Sequence, residues 1–229
     1  MSEDQFRSPM NPRRSFFGVV LRLAAGFMLG LNPAVSLIRR AYAQSKRIVL
    51  PKGTKMTSLV DKNPADLDTR NLEAIPLTQF ETMGLTDHKT DLNSWRLTVS
   101  GAVLKPLKLT YDQILELPSI ERNVLLICPG FFTNHGKWKG LSILELFKLA
   151  DAEPAITHVT FRGPPGRYQK TERFPIAEVA ANKVFLAYRV NGQNLPRKHG
   201  FPLRVVAEDH YGSEWVKYVH KVEAFKVES

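Results

Sequence analysis

One cysteine, Cys128, stands alone among 229 residues. No internal disulfide can brace such a chain, so an apolar core must hold its fold. Strand signals dominate. Trp95-Arg96-Leu97-Thr98-Val99-Ser100 alternates and stops at Gly101, and Glu121–Ile127 reads as a strand running straight into Cys128-Pro129-Gly130. His158–Arg162 stops at Gly163-Pro164-Pro165-Gly166. Asn191-Gly192 joins Val184–Val190 to the stretch after Gln193, which predicts a tight hairpin whose central residues need positive φ. Leu203–Ala207 and Trp215–Phe225 read as the last strands. Short helices are predicted over Leu109–Leu117, capped by Thr110, and near Ala177–Ala181. A third is predicted over Leu141–Ala150, with Leu141, Leu144, Phe147 and Leu149 apolar and Ser142 and Glu145 as a capping box. The expected fold class is α+β, with mixed β-sheets and short peripheral helices.

The N-terminus carries a different signal. Arg13-Arg14-Ser15-Phe16-Phe17 precedes an apolar stretch that ends in Ala41-Tyr42-Ala43, a pattern that resembles a twin-arginine signal peptide. Residues 1–43 are therefore expected to direct export to the periplasm through the Tat translocase, and an uncleaved leader would serve as a membrane anchor. Residues 44–75 are polar with scattered Pro and Gly, and read as an extended N-terminal segment. Residues 76–229 are expected to form one domain. The net charge is +10, of which the leader contributes +4. A moderately basic mature chain suits an anionic ligand or an acidic partner, and the leader argues against nucleic acid.

Cys128 ends an apolar strand and begins a Pro-Gly turn, a place from which a side chain can project into a cleft. Taken by itself it reads rather as a small buried hydrophobe, the commoner setting of an isolated cysteine. Its surroundings favour the first reading. Leu126-Ile127-Cys128-Pro129-Gly130, followed by Trp138-Lys139-Gly140-Leu141, is similar to the molybdenum-binding segment of the sulfite oxidase family of molybdopterin-dependent oxidoreductases. Asn191–Pro196, His199–Arg204 and Tyr211–Tyr218 resemble that family's pterin-binding region, and Thr78-Gln79-Phe80-Glu81 its N-terminal cofactor loop. In size and leader the chain looks like the family's periplasmic protein methionine sulfoxide reductase catalytic subunit type.

The resemblance implies a sulfite-oxidase-like molybdopterin-binding fold. It implies a molybdenum–molybdopterin cofactor with Cys128 as metal ligand and catalytic residue, a role that suits a soft thiolate. Phe80, Glu81, Gly163, His199, Arg204, Trp215, Val216 and Lys217 fall at its cofactor-binding positions. It implies oxygen-atom transfer to or from a small substrate such as a sulfoxide, sulfite or a related oxo compound. Electrons would pass through a separate partner, a membrane haem subunit or a c-type cytochrome, because the chain lacks a C-x-x-C-H haem motif and has too few cysteines for an iron–sulfur cluster. Positive charge near Cys128 is expected to favour its thiolate. Arg162, Arg167 and Arg173 are candidates for positive charge on the substrate side, and His135, His210 and Tyr211 for reaching the active site. The Pro-Gly-Phe-Phe after Cys128 departs from the family pattern. That departure keeps open an alternative, an exported ligand-binding protein of the same fold without catalysis.

Overall fold

The computed structural model describes residues 47–226. The expected leader, residues 1–43, lies outside the described residues. Two five-stranded sheets carry the architecture. In one, β5 (Ser119–Cys128) pairs with β6 (Phe132–Leu141), β6 with β9 (Val184–Val190), and β9 with both β10 (Gln193–Asn194) and β11 (Arg204–Ala207), all antiparallel. The other runs in the order β4 (Leu107–Leu109), β3 (Leu97–Gly101), β12 (Lys221–Phe225), β7 (His158–Arg162), β8 (Thr171–Pro175). Its β12 lies parallel to β3 and antiparallel to β7. Among the described residues three short helices, α1 (Tyr111–Glu116), α2 (Ile143–Leu149) and α3 (Ile176–Ala180), complete the mixed α+β fold expected from the strand pattern. Among the described residues no helix is long and apolar enough to cross a membrane.

The apolar run Val124-Leu125-Leu126-Ile127 is continuous because both faces of β5 are covered. Val124 and Leu126 enter the main core, which draws Leu97 and Phe161 from one sheet and Trp138, Leu186 and Val205 from the other. Leu125 and Ile127 point the opposite way into a second cluster with Leu50, Leu59, Leu67 and Leu72. The segment before residue 76 is thus more ordered than its polar composition predicts. It makes a two-residue parallel pair, β1 (Ile48–Val49) with β2 (Leu67–Asp68), and supplies the leucines that cover this face.

Asn191 and Gly192 take positive φ, as the hairpin between β9 and β10 demands. Thr110 caps α1 in a full capping box with Gln113. Ser142 does not cap α2: its hydroxyl donates to Asn182 Oδ1 instead, 2.7 Å away. The buried face of α2 is Ile143, Leu146 and Phe147, continued by Ala150, whereas Leu149 is exposed. These positions keep the i, i+3, i+4, i+7 spacing from Ile143 that the expected set lacked.

The largest departure is β6. Trp138-Lys139-Gly140, which belongs to none of the strands read from the sequence, lies within a ten-residue strand. Its glycines hid it. At Gly140 the ladder with β9 shifts register, and a Cβ there would fall 1.9 Å from the Leu186 carbonyl oxygen. Only glycine permits that approach. Residues 215–218 form a loop, so the last strand starts later than expected, at Lys221. Replacing Gly140 with Ala is expected to destabilise the protein by at least about 2 kcal/mol through backbone displacement. Loss of the Thr110 cap in Thr110→Ala is expected to cost about 1 kcal/mol. Urea unfolding midpoints of the two variants check both values and their order.

Candidate active site

Cys128 ends β5, and the chain reverses at once through Gly130 at φ 75°, with Phe131 N–H donating to the Cys128 carbonyl. The side chain is partly buried, and its sulfur lies 3.9 Å from Met83 Sδ. Beside it opens a cavity of about 360 Å³. Four pieces of chain build its walls: the strap Glu81–Leu85, the β5–β6 hairpin, the β7–β8 loop at Arg167–Lys170, and the stretch from the start of β11 to Tyr218. All converge on one end of the fold, where loops can carry function without disturbing the sheets.

Arg204 dominates the electrostatics. It begins β11, is only 3% exposed, and lines the cavity. Its guanidinium lies 5.3 Å from the ring centres of both Trp138 and Trp215, and Nη1 donates to the His199 carbonyl at 3.1 Å. Nε is buried without a partner. Burial pulls its pKa down to about 10. A buried cation held by two indole faces and one carbonyl is under-compensated, and an anion in the cavity would complete it.

Lys217 stands beside it. Its ammonium donates to Thr82 Oγ1 at 2.7 Å, to the Met83 carbonyl at 2.9 Å and to the Lys198 carbonyl at 3.3 Å. Burial, with Arg204 adding repulsion, lowers its pKa to about 8. His199 lies behind this pair and is nearly fully buried, with Nε2 unpartnered. Burial and the surrounding cations hold its pKa near 3, so the ring is neutral.

Glycines bring backbone close to this cluster. A Cβ on Gly163 would meet the Tyr168 carbonyl at 2.8 Å, and one on Gly212 would meet the Leu126 side chain at 2.8 Å. Gly200 takes φ 110°, and a Cβ there would press on Arg204 and Lys217. A flat anionic group is matched by this donor set: buried cations, an unsatisfied N–H, close backbone and one soft sulfur.

The expected site residues divide accordingly. Cys128, Glu81, Arg204, Trp215 and Lys217 line the cavity. Phe80 packs in the core instead, with Trp138 and His199 each within 6 Å of its ring. Glu81 is placed by its backbone, which exchanges hydrogen bonds with the buried Asn134 amide. Val216 is wholly buried and gives its carbonyl to Val205 N–H, so it anchors the loop. His199 and Gly163 stand behind the wall.

Of the three arginine candidates only Arg167 reaches the cavity. Arg162 is paired with Glu223, and Arg173 covers the Phe225 ring. His135 is bonded to the Glu73 carbonyl, and neither it, His210 nor Tyr211 lines the cavity. The expected positive neighbour that would ease ionisation of Cys128 is also missing from its energetics: burial raises the thiol pKa.

Several lining residues escaped the sequence reading. Tyr168 and Tyr218 flank His88, and the Tyr168 hydroxyl donates to Asp87 at 2.8 Å, joining the β7–β8 loop to the strap. Met83 and Thr82 sit on the strap itself. Tyr218 belongs to the Tyr211–Tyr218 block, and its φ of 57° marks a constrained position. No local spacing could bring Asp87 to Tyr168.

Comparison with known proteins supplies the remaining evidence. The family described as oxidoreductase molybdopterin binding domain matches residues 84–229. The protein-methionine-sulfoxide reductase catalytic subunit MsrP of Gluconobacter oxydans (strain 621H) is 29% identical over 143 residues, a match that covers 56% of this chain and 46% of that protein. A nitrate reductase [NADH] of Volvox carteri is 29% identical over 164 residues, covering 58% of this chain and 19% of the relative. The chain thus spans less than half the length of these two relatives. Among solved structures, the sulfane dehydrogenase SoxCD of Paracoccus pantotrophus shares the fold, with a TM-score of 0.56, 23% identity, and coverage of 61% of this chain and 40% of that one. With a family match over most of its length and a cation-lined cavity beside its single cysteine, the chain belongs to the oxidoreductase molybdopterin-binding domain family, whose cofactor is molybdenum–molybdopterin.

Proposed function

We propose that this protein is a periplasmic molybdopterin-dependent oxidoreductase that transfers an oxygen atom to or from a small substrate at a metal ligated by Cys128. One observation carries the reading: the unsatisfied, buried Arg204 faces the same cavity as the only cysteine. The bound cofactor would supply a two-electron redox centre able to gain and lose an oxygen atom.

The chain's own residues have separable tasks. Arg204 and Lys217 would hold the cofactor's phosphate, while Gly163 lets the end of β7 pack against the Tyr168 carbonyl behind the wall and Gly212 lets the turn pack against Leu126. Trp215, with Trp138, keeps Arg204 in place through the indole faces. Phe80, Glu81, His199 and Val216 support the wall. Leu126, Phe132 and Met83 present apolar surface beside Cys128 and limit water there. Because burial raises its pKa, Cys128 gives up a proton on binding the metal. Arg167 and Lys170 bring positive charge to the cavity wall. A sulfoxide, sulfite or another small oxo compound would meet them there. Electrons would pass to or from a membrane haem subunit or a c-type cytochrome, and the basic chain suits an acidic partner. Export through the twin-arginine route rests on the leader sequence, and residues 76–229 would be the catalytic domain.

Three measurements test this. Protein purified from a host that makes molybdopterin is expected to carry near-stoichiometric molybdenum by elemental analysis, and Cys128→Ser to lose it or alter its spectrum. Absence of molybdenum from both would overturn the reading. In the metal-free protein at pH 8, alkylation of Cys128 by iodoacetamide is expected to run slower than that of free cysteine, because the buried thiol stays protonated. Affinity of the cofactor-free protein for the pterin cofactor is expected to fall as pH rises above about 8, where Lys217 of the ligand-free protein loses its proton. Lys217→Met should release the pterin faster and remove that limb of the profile, as followed by fluorescence of the liberated pterin.

A further inference from the structure

We propose that His210 is a positioning residue: a charged imidazolium clamp, held between Glu178 and Glu214, that fixes the cavity-lining turn Tyr211–Lys217. The proposal rests on the reading of that turn as cofactor-holding. His210 Nε2 lies 2.8 Å from Glu178 Oε2, and Nδ1 lies 2.9 Å from Glu214 Oε1. Both contacts are of hydrogen-bond length, and both partners are carboxylates. A neutral imidazole has one N–H, so it can donate to one of them and must turn a lone pair toward the other. With both carboxylates ionised, only the doubly protonated ring can donate to the two of them at once.

The clamp joins two elements. Glu178 belongs to α3 on the sheet side, whereas Glu214 belongs to the turn. Glu214 also accepts the Tyr211 N–H through Oε2 at 3.1 Å, and the His210 carbonyl accepts Trp215 Nε1–H at 3.3 Å. One ring thus ties α3 to the segment that carries Ser213, Trp215 and Lys217 into the cavity wall. The Phe174 ring on β8 meets the imidazole edge-on at 5.0 Å and confines it. Neighbouring carboxylates are already engaged, Asp209 with Lys183 at 2.6 Å and Glu208 with Arg122 at 2.5 Å. Glu178 and Glu214 are the charges that face the ring. Burial opposes the charged form, but the hydrogen bonds and charges of Glu214 and Glu178 outweigh it, and the ring titrates above its ordinary value.

The sign follows. A histidine whose pKa is raised on folding stabilises at low pH, and that contribution is lost as pH rises through the folded pKa. The turn should be tight at acid pH and loosen as pH rises past the raised pKa of the ring.

The test is amide hydrogen exchange of the full-length, cofactor-free protein at pH 6 and pH 8.5, corrected for intrinsic rates. The wild type is expected to lose protection over residues 211–218 between the two pH values, with no change in β3. His210→Gln should be weakly protected at both pH values, and Glu178→Gln should move the loss to lower pH. Protection in the wild type that ignores pH would overturn the clamp, as would the same pH-dependent loss in His210→Gln. Holoprotein from a molybdopterin-making host supplies the second arm. Faster pterin release from His210→Gln supports the positioning role. A turn that loosens while pterin release stays unchanged would instead overturn the cofactor-holding reading of the turn, and the positioning role with it, while leaving the charged clamp in place.

Discussion

Arg204 between two tryptophans is the contact on which the functional end of this molecule depends. A guanidinium taken out of water costs several kcal/mol unless something compensates it. Here the compensation is two indole faces and the His199 carbonyl, with no carboxylate among its hydrogen-bond and ion-pair partners in the described residues. Trp138 can reach it because β6 carries that ring into the core, with its own N–H donating to the Val124 carbonyl. Trp215 can reach it because the turn before it is fixed. The two rings also meet edge to face, 5.6 Å apart, so displacing one disturbs the other. A protein that wanted only stability would place a leucine or methionine there. Retaining the charge makes sense where an anion shares its field.

The fold was legible wherever local chemistry decided it. Asn191-Gly192, the Thr110 cap and the stop at Gly163 each announce a backbone conformation that few other residues favour, and each is where the structure has it. Legibility failed where tertiary contact overrode local signal. Gly136 and Gly140 make β6 look unlike a strand, yet each gives way to a partner that only the folded state supplies, the Phe80 ring and the Leu186 carbonyl. Ser142 has the right position to cap α2, but Asn182, distant in sequence, takes its hydroxyl.

The cavity shows the same division. Motif resemblance pointed to Cys128, Arg204, Trp215 and Lys217, all of which line it. It also pointed to Phe80 and His199, which stand one layer further back. Similarity of sequence marks a neighbourhood, and only packing separates the wall from what holds the wall up. Asn134 illustrates the reverse case. Nothing around it in the chain hints at a role, yet its amide fixes the backbone of Glu81 from 53 residues away.

Lys217 has a consequence of its own. Its ammonium is already solvated by the strap, through the Thr82 hydroxyl and the Met83 carbonyl, and by the Lys198 carbonyl. Capture of an anionic ligand at this position is accordingly an exchange of one set of oxygens for another. The affinity that results is a difference between two solvation shells, and a ligand with too few acceptors gains nothing by entering. The strap thereby behaves as a resident competitor, holding the lysine in place and setting the minimum that any newcomer must exceed.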